Sequence, residues 1–203
     1  INVYKNVYAF ITPSEFLKKK LSLNGFEEKR IHCIPTFTAS KTTIGKQQIG
    51  SYGLYFGRVT EEKGVETVIK AYEKLPEYTV KIMGDDTTDE AKRLKKYVEN
   101  HKMKNVEFLG FKSGAELENV IKGARFTLIP SIWYDNLPNT ALESFQYSKP
   151  VIASNIGSLP ELVIDGENGY LFKPSNVEDL IKKIKMLDDD TLVKRWGKLV
   201  EKG

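Results

Sequence analysis

Two clusters of residues in this sequence have the types and spacing to hold an anion. In the first, Gly57-Arg58-Val59-Thr60-Glu61-Glu62-Lys63-Gly64, an arginine follows an apolar run directly and a lysine stands five residues further on. A guanidinium and an ammonium converging above a strand end can grip a diphosphate by charge-assisted hydrogen bonds, each worth about 1.5–3 kcal/mol. The plainer alternative is an exposed Arg58 and Lys63 paired with Glu61 and Glu62. The second cluster is PSIWYDNLPNTALESF, residues 130–145. A helix opening at Pro138 would put Pro138, Ala141, Leu142 and Phe145 on an apolar face and Asn139, Glu143, Gln146 and Tyr147 on another. The amides of Asn139, Thr140 and Ala141 would then be unsatisfied at a helix N-terminus, which attracts anions. Helical rise puts the carboxylates of Asp135 and Glu143 roughly 10 Å apart. The acid and nucleophile of a retaining glycosidase need about 5 Å. The wider spacing suits two carboxylates holding hydroxyls on either side of a diphosphate. Taken singly, Asp135 reads equally as a turn or capping acid, and Glu143 as a solvated helix residue.

The elements that must position these groups alternate strand and helix along the chain. Apolar runs occur at 7–11, 52–56, 78–83, 106–109, 125–130 and 151–154, with a short one at 170–172. Helix starts are signalled by Thr12-Pro13-Ser14-Glu15, Ser113-Gly114-Ala115-Glu116, Ser158-Leu159-Pro160-Glu161 and Ser175-Asn176-Val177-Glu178. Gly25 and Gly123 serve as stops. This order predicts an α/β fold with a Rossmann-like, doubly wound parallel sheet. Ligands of such sheets bind beyond the carboxyl ends of the strands. Those ends carry Gly57, Gly84, Gly110 and Gly157, whose missing side chains let backbone approach a ligand. Residues 36–51 are polar and aperiodic and read as a linker. They divide a βαβ-like fragment at 1–35 from a fuller unit at 52–203, whose last segment reads as two amphipathic helices split near Asp188-Asp190.

Composition narrows the class. The 31 basic and 27 acidic residues are interspersed, which leaves no basic face with aromatic residues between the charges and argues against nucleic acid as partner. Lys18-Lys19-Lys20 is the main basic cluster and reads as a solvated helix face. No apolar run is long enough to span a membrane. The single Cys33, in the run IHCI, cannot form an internal disulfide and is expected to pack as a small apolar group; cytoplasmic chemistry fits. Asp85-Asp86 and Asp188-Asp189-Asp190 read as a strand-end pair and a helix start rather than metal ligands, and His32 and His101 are not expected to be catalytic. Without an initiator Met or a leader pattern, the sequence is expected to be an excised piece of a longer protein.

Taken together these motifs resemble glycosyltransferase family 4, the large retaining family with the GT-B fold. The resemblance rests on Gly57-Arg58 and Lys63-Gly64, on Pro130-Ser131, and on Asp135 and Glu143 with seven residues between them. It continues through Lys149-Pro150-Val151-Ile152-Ala153-Ser154 and Gly157 through Glu161, while ITPSEFLKKKLSLNGFEEKRIHCIP is similar to the end of the family's N-terminal domain. It implies the C-terminal, nucleotide-sugar-binding half of a GT-B fold plus a βα fragment of the N-terminal acceptor domain. By that resemblance Arg58 and Lys63 hold the donor diphosphate, the amides at Thr140 and Ala141 contact phosphate, Glu143 holds the ribose and Asp135 the donor sugar. Gly57, Gly84 and Asn139 complete the donor-binding set. Two positions depart from the family: Asp135 stands where Glu is usual, and Ser148-Lys149 where Gly precedes the proline. The resemblance further implies a hexosyl transfer with retained configuration, in polysaccharide or glycolipid synthesis, with no metal or other cofactor beyond the nucleotide-sugar co-substrate. The acceptor would bind through the absent N-terminal domain, leaving this fragment inactive alone. The whole protein would act in the cytoplasm, with peripheral association at the inner membrane face compatible with the resemblance. A non-catalytic nucleotide-sugar sensor and another GT-B enzyme, such as a nucleotide-sugar epimerase or a phosphorylase, remain the alternatives.

Overall fold

The computed structural model describes residues 2–36 and 49–200, the side chains of Asn2 and of 197–200 excepted. A small unit comes first: β1 (Phe10–Thr12), α1 (Glu15–Leu23) and β2 (Ile31–Cys33), the two strands paired in parallel. Most of the expected linker, 37–48, lies outside the described residues. A larger unit follows, with β3 (Tyr52–Phe56), α2 (Val65–Glu73), β4 (Thr79–Met83), α3 (Asp89–Asn100), β5 (Val106–Gly110) and α4 (Gly114–Gly123). Its second half comprises β6 (Ala124–Ile129), α5 (Asn139–Gln146), β7 (Val151–Ser154), α6 (Leu159–Leu162), β8 (Gly169–Phe172), α7 (Val177–Met186) and α8 (Asp190–Val200). The six strands of this unit form one parallel sheet in the order β5-β4-β3-β6-β7-β8. The order reverses between β3 and β6, which is where a doubly wound sheet opens a crevice.

Helices cover both faces of that sheet, so its central strands are apolar without alternation. On one face Ile69 and Tyr72 of α2, Leu180 and Ile184 of α7 and Trp196 of α8 pack with Ile82, Leu128 and Ile152. On the other, Ile121 of α4 packs with Leu54, Phe56 and Met83, and Ala141 of α5 with Ile129, Val151 and Ala153. Neighbouring strand residues such as Val151 and Ile152 therefore enter opposite cores.

Several local expectations shift. Helix α1 is capped by Ser14, whose Oγ accepts the Leu17 amide at 3.2 Å, so Pro13 precedes the helix rather than opening it. Thr12 instead donates its hydroxyl to the Ser14 carbonyl at 3.2 Å. Helix α7 is capped by Asn176, not Ser175, through the Asp179 amide at 2.9 Å. Ser113 and Ser158 occupy cap positions but make no side-chain cap bond. Cys33 is half-buried rather than packed away. Gly25, with φ 87°, closes α1 as expected, and the final helices divide where the aspartates stand, Asp189 accepting the Thr191 amide at 2.8 Å.

Candidate functional site

The reversal point between β3 and β6 holds a cleft of about 250 Å³. Its walls include Gly57, Arg58, Lys63, Ser131, Asp135, Asn139 and Thr140, which brings most of both sequence clusters to one place. Ala141, Glu143 and Gly84 are not part of that wall.

Arg58 stands two residues beyond the end of β3 and its side chain is exposed. The backbone beneath it is fixed, because the buried Tyr55 donates its phenol to the Arg58 carbonyl. Burial, aided by the negative charges of Asp135 and Glu62, pushes the Tyr55 phenol well up, so it stays a donor. Among the described residues Arg58 makes no ion pair. Lys63 ends a single 3₁₀ turn, Glu61–Lys63, and Gly64 follows at φ 67°. A side chain at Gly64 would begin 2.1 Å from the Pro130 carbonyl oxygen, so glycine lets the turn lie against the end of β6. Neither Glu61 nor Glu62 takes Lys63. Glu62 accepts the Thr60 hydroxyl at 2.7 Å, which holds its carboxyl below the usual range, with smaller help from Arg58 and Lys63.

Lys63 pairs with Asp135, whose other carboxylate oxygen accepts the Ser131 hydroxyl. Both members of the pair are largely covered. The carboxylate assigned by resemblance to the donor sugar thus also sets the direction of Lys63, the lysine that the same resemblance assigns to the diphosphate. No spacing rule announces a contact between residues 72 positions apart.

Helix α5 begins after Pro138, which is its cap rather than its first residue. The Ala141 amide donates to the Pro138 carbonyl at 3.0 Å, so the expected free amide at Ala141 is already used. The amides of Asn139 and Thr140 make no hydrogen bond among the described residues, and the first turn carries no acid. That end of the helix dipole is therefore open to an anion. Ahead of it Leu137 sits at φ 134°, a conformation costly for a branched residue and typical of functional loops. The face that α5 buries meets the expectation at Ala141, which is buried, and at Phe145, which packs half-buried against the same core; Ser144 is buried in addition, and Leu142 is half-exposed. Ser144 is reconciled with the core by accepting the Thr127 hydroxyl at 2.8 Å and donating to the Thr140 carbonyl at 2.6 Å. Glu143 is half-buried, and burial raises its carboxyl above the ordinary value.

Gly84 has a packing reason for being glycine. A Cβ there would lie 1.9 Å from the Gly57 carbonyl oxygen, beside the bond from the Gly57 amide to the Met83 carbonyl at 3.0 Å. It packs against Gly57, which lines the cleft, and does not line the cleft itself. Ser131 was visible only as a strand end, and Tyr55, Asn136 and Leu137 gave no signal in the sequence. Asp85 accepts the Thr87 amide and hydroxyl, and Asp86 pairs with Lys95. Among the described residues no group of three or more His, Cys, Asp or Glu could share a metal ion, and no helix is long and apolar enough to cross a membrane.

The profile of glycosyl transferases group 1 matches residues 40–202. The uncharacterized glycosyltransferase MJ1178 of Methanocaldococcus jannaschii is 32% identical over 148 residues, covering 72% of this chain and 41% of its own length. Glycogen synthase of Mycobacterium tuberculosis is 30% identical over 163 residues, 76% of this chain and 37% of the relative. The chain thus spans under half the length of these relatives. Among solved structures, Anabaena Alr3699/HepE in complex with UDP and glucose superposes with a TM-score of 0.84 at 20% identity, covering 100% of this chain and 61% of that one. A glycosyltransferase from Rickettsia africae gives 0.87 at 20% identity, covering 99% and 60%. At such identity these two structures bear on the fold, which is the doubly wound half of a GT-B architecture.

Proposed function

This chain belongs to the family of glycosyl transferases group 1, and from that premise we propose that its cleft binds the diphosphate of a nucleotide-sugar donor for a retaining, family 4 hexosyltransferase. One observation carries the reading: Arg58, Lys63 and the bare amides of Asn139 and Thr140 line a single cleft at the point where the strand order reverses. The structures of Alr3699/HepE with UDP and with UDP-glucose support a nucleotide-sugar as the ligand class.

The chemistry asked of these groups is electrostatic. As the sugar–phosphate bond breaks, negative charge gathers on the departing diphosphate while the sugar becomes oxocarbenium-like. Fixed donors aimed at that charge favour the transition state over the bound donor. Arg58 supplies a planar, two-pronged donor set and Lys63 a point charge, so protein cations supply neutralisation without a dedicated metal. Asp135 holds Lys63 in place and stands beside the sugar end of the cleft. Glu143, one turn into α5, is assigned to the ribose. The acceptor comes through the part of the protein beyond this chain, and this chain alone transfers no sugar.

Turnover by the whole protein tests the proposal. With a nucleotide-sugar donor and a panel of sugar and lipid acceptors, transfer should depend on acceptor and the product should keep the donor's anomeric configuration. Nuclear magnetic resonance of the first product formed would show an inverted linkage if retention is the wrong assignment. Donor binding without turnover on any acceptor would favour a nucleotide-sugar sensor.

A further inference from the structure

The small β1–α1–β2 unit meets the larger unit around the start of α1, at residues the diphosphate site does not use. Glu161, in α6, accepts the amide of Glu15 at 2.9 Å with one carboxylate oxygen and that of Phe16 at 2.6 Å with the other. A carboxylate astride two first-turn amides is favoured both by the hydrogen bonds and by the helix dipole. From α1 the Phe16 ring packs on Tyr134, centroids 5.1 Å apart, and the Lys20 ammonium lies 4.9 Å from the Tyr134 ring. Tyr134 immediately precedes Asp135. From the other side Ser158, three residues before Glu161, donates its hydroxyl to the Asp135 carbonyl at 2.8 Å. Beside it Gly157, at φ 63°, lies so close that a Cβ would stand 3.2 Å from the same oxygen. The contacts close a ring from Asp135 through Ser158, Glu161, Phe16 and Tyr134 back to Asp135.

We infer that Glu161 is a positioning residue for the cleft: by anchoring α1 it keeps Phe16 on Tyr134 and so fixes the loop that presents Asp135 to Lys63. That loop also runs through the strained Leu137 into the start of α5. Without the anchor it would populate other arrangements, and the apparent affinity of anything bound by the ordered cleft would fall by the fraction that remains competent. The inference rests on the proposed diphosphate site for its binding readout alone. Because the anchored helix α1 belongs to the small unit while Glu161 and the cleft belong to the large one, the contact also ties the placement of the first to the donor affinity of the second.

Amide hydrogen exchange and backbone nitrogen relaxation on the whole chain, combined with UDP titration, test this. In Glu161→Ala the amides of Glu15 and Phe16 should exchange about tenfold faster and the backbone order parameters of residues 133–137 should fall, while the amides within β3 and β6 keep their rates. The dissociation constant for UDP should rise roughly three- to thirtyfold, the range of coupling through a packed network. Glu161→Gln, which keeps one carbonyl acceptor, should recover most of both effects. Tyr134→Ala should loosen residues 133–137 without freeing the Glu15 amide. Faster exchange confined to α1, or a loosened loop with unchanged UDP affinity, would overturn the positioning role. A chain that binds none of UDP, GDP or ADP would count against the diphosphate reading instead, and the order parameters of 133–137 would still decide the role of Glu161.

Discussion

Glu143 combines a structural cost with its assigned function. Burial holds its carboxyl above the ordinary value, so the folded state binds that proton more tightly than the unfolded chain does. The sign follows from linkage: below the unfolded carboxyl value, about 4.3, both states are protonated and no cost exists. As pH rises through the folded value the charge must be carried in a partly dry place, and stability is lost. Glu143→Gln should therefore raise the melting temperature at pH 7, with the gain shrinking towards pH 4. The same change should weaken nucleoside diphosphate binding by roughly 1–3 kcal/mol, the worth of a charged hydrogen bond to ribose. Melting curves at the two pH values, with a titration at pH 7, check both halves. A substitution that lowers the melting temperature at pH 7 would mean that Glu143 is held by a favourable partner. At this scale the sequence disclosed the residue types but not their pairings. Arg58, Lys63, Asp135, Asn139 and Thr140 could be picked out because cations near strand ends and amides at a helix start have an obvious chemistry. The link between Lys63 and Asp135 could not, since it depends on where β3 and β6 lie in the sheet.

Elements were legible where burial is complete. Strands β3 and β7 lie where their apolar runs lie, because a strand covered on both faces tolerates little polarity. Caps were less legible: Thr12 and Ser14 both offer a hydroxyl, and the backbone angles at Ser14, not the residue type, decide which oxygen reaches an amide. The burial of Ser144 on α5 was not legible for a similar reason, as its hydroxyl is tolerated only because Thr127 waits on β6. Gly84 is the element-scale counterpart of the cleft. Gly84→Ala would drive a methyl into the Gly57 carbonyl and should cost about 3 kcal/mol in urea unfolding, through overpacking at the β3–β4 contact. A cost under about 0.5 kcal/mol would show that the two strand ends can part. Lys149, just before β7, is buried and reaches the Lys122 carbonyl at 2.6 Å. Burial pushes its ammonium down to about 8. The folded state thus releases a proton that the unfolded chain keeps to about 10.4. That cost is fully present below pH 8 and is relieved as pH rises from 8 towards 10. Relative to Lys149→Met, the parent chain should gain stability across that window, by a total on the order of 3 kcal/mol. Parallel denaturation profiles of the two proteins at pH 7, 8, 9 and 10 would contradict the buried-ammonium cost.

On the scale of the whole molecule, the alternation of strands and helices was enough to fix the fold class, and the order β5-β4-β3-β6-β7-β8 explains why two clusters far apart in sequence share one cleft. What the alternation could not show is how the small unit docks, because the Glu161 contacts join residues about 145 positions apart. The central claim is that the cleft grips a diphosphate through Arg58, Lys63 and the start of α5, and calorimetric titration tests it most directly. UDP, GDP and ADP would each be titrated into the chain, beside uridine, guanosine and adenosine, and then into Arg58→Ala and Lys63→Ala. At least one diphosphate should bind with one-to-one stoichiometry and far more tightly than its nucleoside. Either substitution should weaken that diphosphate by roughly 1.5–3 kcal/mol, about tenfold to a hundredfold, while leaving the nucleoside nearly unchanged. A diphosphate that binds Arg58→Ala and Lys63→Ala as tightly as the parent chain would contradict the account.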